Sequence, residues 1–132
     1  MRRMLFLLAW CALLAGCETT PVKHMTQDIT SIFKTPKGQP ELTAGIRSYE
    51  DGNYNVAMRQ LQSALKAGLN TFGEIKAHKY LAFIYCSSGR ESRGRDEFRK
   101  VLALDPDFNL APAEAGHPTW GPIFRSLKAE QR

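Results

Sequence analysis

Beyond residue 40 the apolar positions recur every three or four residues, the period of an α-helix. Leu42, Ile46 and Tyr49 share one face. After a turn at Gly52-Asn53-Tyr54, the residues Val56, Ala57, Leu61, Ala64 and Leu65 form a second stripe, which ends at Gly68. Ile75, His78, Leu81, Ala82 and Tyr85 form a third, ended by Gly89, and Phe98, Val101 and Leu102 a fourth, ended by Asp105-Pro106. No period-two run is long enough for a strand. The pattern therefore predicts an all-α fold of antiparallel helical hairpins joined by short glycine-containing turns. In the tail, Trp120, Ile123, Phe124 and Leu127 fall at i, i+3, i+4 and i+7, with Pro118 and Pro122 in first-turn positions. That spacing predicts a last amphipathic helix over about 118–130.

The first 17 residues follow another pattern. Arg2 and Arg3 precede an uncharged apolar run at 4–14. Crossing a bilayer takes about 20 apolar residues, so this run has the length and flanks of a secretory signal instead. Leu14-Ala15-Gly16-Cys17 resembles the lipobox of bacterial lipoproteins, an apolar residue and two small ones before a cysteine. The resemblance implies cleavage of residues 1–16 as a signal peptide, a diacylglycerol on the Cys17 thiol, and an acyl chain such as palmitate on the freed amine. No other cofactor is expected. Glu18, where an Asp would favour retention at the inner membrane, implies an outer-membrane lipoprotein facing the periplasm. Two or more acyl chains anchor stably without a membrane span.

This parsing changes the charge and cysteine arithmetic. The chain has 132 residues and a formal charge of +5, but cleavage leaves 116 residues at +3, because Arg2 and Arg3 are lost. Of Cys11, Cys17 and Cys86, the first is discarded and the second lipidated, so no intrachain disulfide is expected. Residues 17–40 read as the lipidated cysteine and a tether broken by Pro21, Pro36, Gly38 and Pro40. Ile29, Ile32 and Phe33 make one short amphipathic turn within it, either free or docked on the domain at 41–132.

Two segments of that domain resemble the tetratricopeptide (TPR) repeat, a 34-residue helix–turn–helix. In 75–108, Leu81 and Ala82 stand at the helix crossing, Tyr85 is the first-helix aromatic, Gly89 the turn, Gly94 the small residue of the second helix, Phe98 the large apolar one, and Pro106 the exit proline. The segment 38–71 matches through Gly45, Gly52, Tyr54, Ala57, Leu61, Ala64 and Leu65. It departs at Ser48, at Leu69, and at Thr71-Phe72-Gly73, which reads as a longer link. Two repeats are fewer than the three usually needed for stability, so the tail helix is expected to cap the second.

Candidate chemistry is sparse. His24, His78 and His117 form no zinc spacing or nucleophile–base motif, and Cys86 reads as a core thiol. Arg90, Arg93, Arg95, Arg99 and Lys100 are interleaved with Glu91, Asp96 and Glu97, which describes a solvated, salt-bridged face. Catalysis, metal binding, nucleic acid and small-molecule substrates are not expected; a protein partner is. First-helix positions of TPR hairpins line the concave side, which here gives Leu42, Ile46, Tyr49, Glu50, Lys76, Lys79, Phe83 and Cys86 as the partner-binding groove. Its cations suit an acidic segment or a C-terminal carboxylate. The alternative is that residues 29–33 cover the groove.

The lipobox, the Thr/Pro-containing tether and the phrases AHKYLAFIYCSSGR, DEFRKVLALDPDF and AEAGHPTWGP together resemble small TPR lipoproteins associated with type VI secretion, the TssQ-like family. The resemblance implies a non-enzymatic accessory adaptor or scaffold at an envelope-spanning machine. A pilotin-like or other assembly adaptor, for secretin, pilus or cell-wall machinery, is the alternative.

Overall fold

The computed structural model describes residues 34–131; the expected signal segment, Cys17 and the turn expected at 29–33 lie outside them. Six helices follow in order: α1 Gln39–Glu50, α2 Tyr54–Ala67, α3 Thr71–Ser87, α4 Glu91–Leu104, α5 Pro112–Ala115 and α6 Gly121–Glu130. No strand occurs among the described residues. α1 pairs with α2 and α3 with α4, α2 and α1 both touch α3, and α6 packs on α4. This is a TPR-like pair of helical hairpins with a C-terminal capping helix.

The turns explain why the hairpins close where they do. Gly52 (φ 78°) and Gly89 (φ 73°) occupy equivalent turn positions in the left-handed region, where a Cβ is disfavoured. Small residues also sit where the helices cross. A Cβ on Gly45 would come within 2.8 Å of the Leu61 side chain, and one on Gly94 would overlap Cys86 Sγ. Ala57, Ala64, Ala77 and Ala82 are likewise fully buried.

Three expectations shift, and one element is new. Thr71-Phe72-Gly73 is the first turn of α3 and not a longer link: the Asn70 side chain accepts a hydrogen bond from the Gly73 N–H at 2.8 Å and starts the helix there. Val56 lies on the outer face of α2 and is exposed. α6 begins at Gly121, with Pro122 in its first turn, while Pro118 belongs to the turn before it. The one-turn helix α5 has too few residues to show a period.

α3 is the central element. Leu81, Ala82, Phe83, Ile84, Tyr85 and Cys86 are all buried, so the helix is covered all round. Two apolar clusters meet along it. One gathers Leu42, Leu61, Leu81 and Tyr85; the other gathers Phe83, Phe98, Leu102, Trp120 and Phe124. Tyr49 and Tyr80 pack against both.

Candidate partner-binding surface

The inner face of the hairpins divides into a closed half and an open half. The closed half lies over α3, where the residues after α4 fold inward. Trp120 stacks on Phe83 at a centroid distance of 4.4 Å, and His117 stacks on Trp120. The Trp120 indole N–H donates to the Glu114 carbonyl at 3.0 Å. The Glu114 carboxylate then reaches Lys79 Nζ at 2.5 Å and accepts from the Ala111 N–H. Glu114 thus stands where an acidic ligand of Lys79 would stand.

This corrects part of the predicted groove. Leu42, Phe83 and Cys86 are core residues, each no more than 5% exposed. Leu42 lies on α1 in the cluster with Leu61 and Leu81, the Cys86 sulfur faces Gly94 where α3 and α4 cross, and Phe83 is covered by Trp120 of the long α4–α6 connection. Lys79 is engaged by Glu114 and also lies over the rings of Tyr80 and Phe83, at 4.8 and 5.6 Å. Lys76 lies over the Phe72 ring at 4.4 Å, beside a shallow cavity of about 330 Å³ between α3 and the 108–111 stretch.

The open half joins the end of α1 to the start of α2 and the middle of α3. Ile46 and Tyr49 are half-buried there and Glu50 is exposed. Tyr54 and Tyr80, both absent from the predicted set, complete it. Tyr49 meets Tyr80 edge-on at 5.0 Å and Tyr54 at a tilt at 5.5 Å. Burial pushes the Tyr49 phenol up to about 12, with the neighbouring Tyr54, Tyr80 and Glu114 adding to it. Burial also raises Tyr80, helped by the charges of Glu114 and Glu50. Tyr49 and Tyr80 therefore stay neutral. Tyr54 was legible as a turn residue and a repeat match, not as a surface residue, and Tyr80 fell between the apolar positions of its helix.

The remaining candidates have structural roles. His78 Nδ1 lies 2.6 Å from Glu97 and joins α3 to α4. Burial works against the Glu97 charge, but hydrogen bonds from His78 and Lys100 outweigh it and hold the carboxyl below its ordinary range. Burial raises the Cys86 thiol to about 11. On the Arg-rich face, Arg95 pairs with Glu91 and Glu130, Arg99 with Asp96, and Lys100 with Glu97. Arg90 and Arg93 lie over the Tyr85 ring. Among the described residues, no group of three or more His, Cys, Asp or Glu could hold a metal, and no helix is long and apolar enough to cross a membrane. Cys17 lies outside the described residues.

The chain is similar to the photosystem I assembly protein Ycf3 of Synechococcus sp. (strain CC9605), with 33% identity over 81 residues. The alignment covers 60% of this chain and 47% of the relative, so the chain spans about half the length of the curated protein it matches. No protein-family model and no solved structure matches it.

Proposed function

We propose that this chain is a non-enzymatic TPR-like adaptor, anchored through lipid on Cys17 to the outer membrane, that docks a protein partner in an envelope assembly, type VI secretion first. The observation that carries the adaptor reading is the open half of the inner face. A ledge of mutually packed tyrosines with an exposed carboxylate lies beside a half already filled by the chain's own Glu114 and Trp120. Tyrosine presents a large contact area at low entropic cost and is enriched at binding hot spots. The lipobox-like Leu14-Ala15-Gly16-Cys17 supports the anchor, and the three phrases quoted above support the TssQ-like assignment.

The second reading is an adaptor for secretin, pilus or cell-wall assembly, with the same anchor. It is favoured by the assembly role in the name of the cyanobacterial relative. Crosslinking the lipidated protein in native membranes, then identifying what it captures, separates the two. Sheath, baseplate or membrane-complex subunits of a type VI system support the first; secretin, pilus or cell-wall enzymes alone support the second. Labelling with a palmitate analogue that persists in a Cys17→Ser variant would remove the anchor.

A further inference from the structure

The aromatic rings of this domain are repeatedly covered by cations of the same chain. Lys79 lies over Tyr80 and Phe83, Lys76 over Phe72, and Arg90 and Arg93 over Tyr85. At Lys79 the arrangement is complete: rings on one side and the Glu114 carboxylate at 2.5 Å on the other. The negative face of an aromatic ring and a carboxylate both favour a cation.

In the open half, Tyr49 and Tyr54 have no cation over them among the described residues, whereas Tyr80 already carries Lys79. Tyr49 and Tyr54 supply rings tilted 54° to each other, and 49% of Tyr54 is exposed. Tyr80 closes the other side of Tyr49 at 68°. Glu50, next to Tyr49 in the chain, is exposed, its charge reaches Tyr80, and no ion pair engages it among the described residues. Asp51, also exposed, adds a second carboxylate next along the chain. Of the cations that pointed to an acidic partner, Lys79 is already engaged by Glu114.

The geometry points to a partner segment that presents an arginine to this ledge: the guanidinium on the faces of Tyr49 and Tyr54, its charge met by Glu50, and an apolar neighbour of that arginine against Ile46. A planar guanidinium both stacks on an aromatic face and donates two hydrogen bonds to one carboxylate, which a lysine does not. This inference rests on the adaptor reading and gives the partner its chemistry. It reverses the sign of the partner that Lys76 and Lys79 implied in the sequence.

The test uses the full chain in detergent micelles, titrated with N-acetyl-arginine methylamide and, as the opposite charge, N-acetyl-glutamate methylamide. Residue-resolved NMR should show saturable shifts at Tyr49, Glu50, Tyr54 and Tyr80 with the arginine probe. Binding should weaken roughly threefold or more in Glu50→Lys and in Tyr54→Ala. Both positions are exposed, and circular dichroism checks that the variants fold. No saturable shift at these residues, equal response to the glutamate probe, or unchanged binding in both variants overturns the site. Membrane crosslinking separates this from the adaptor reading. A partner captured equally by wild type and Glu50→Lys overturns the ledge and leaves the adaptor. Probe binding to the ledge without any captured partner keeps the ledge and overturns the adaptor.

Discussion

Trp120 lies nearly flat on Phe83, with ring centroids 4.4 Å apart and planes 21° from parallel. His117 covers the other face of the indole, almost parallel to it at 3.3 Å. This three-ring stack fastens the chain after α4 to the inner face of α3, and it turns a predicted surface residue, Phe83, into core.

Replacing Trp120 with alanine should therefore cost much more than a loop substitution. Truncation of a buried Trp typically costs about 3–5 kcal/mol, and here the Glu114 carbonyl also loses its indole donor. Urea unfolding should show that loss as a lower midpoint, with increased binding of a hydrophobic dye as Phe83 is uncovered. An unchanged midpoint would mean that the stack is not what holds the tail.

Gly94 and Cys86 should be thermodynamically coupled. A Cβ at 94 would overlap the Cys86 sulfur and press on the Ala82 carbonyl at 3.2 Å. Overpacking of this kind costs about 1–3 kcal/mol. Cys86→Ala removes the sulfur in the way, so Gly94→Ala/Cys86→Ala should be less destabilised than the two single variants combined, by about 1 kcal/mol. Additive losses in a double-mutant cycle of denaturant midpoints would count against the contact.

Cys86 should be inert while the chain is folded. With the thiol at about 11, roughly one molecule in a thousand carries the reactive thiolate at pH 8. Peptide-resolved alkylation should find Cys86 unlabelled under native conditions and labelled quickly in denaturant. Rapid native labelling would show that the α3–α4 crossing opens readily.

Glu97 should make stability depend on acid. Its carboxyl is held below the ordinary value of 4.5 in the folded chain, so the unfolded chain takes up the proton first as pH falls. The stabilisation is present in full above about 4.5, diminishes below it, and is gone once pH has fallen through the folded value. Urea midpoints measured from pH 6 to pH 3 should fall more steeply for wild type than for Glu97→Gln. Parallel curves would show that the His78–Glu97 contact adds nothing that titrates.

The helical period, the glycines at the turns and the small residues at the crossings determined the two hairpins and the capping helix. Each of these is a local or near-local requirement: a face every 3.6 residues, a left-handed turn at Gly52 and Gly89, and close approach at Gly45 and Gly94. The surface was decided elsewhere. Whether Phe83 and Lys79 face a partner or the chain's own tail depends on where residues 105–120 run, and a connection with one helical turn carries no period from which to read its path. Tyr80 and Tyr54 were hidden for a related reason. Neither lies on the apolar stripe of its own helix, and they meet Tyr49 only because α1, α2 and α3 converge there. Which side chains share a face followed from the sequence, whereas which faces stay open followed only from tertiary packing.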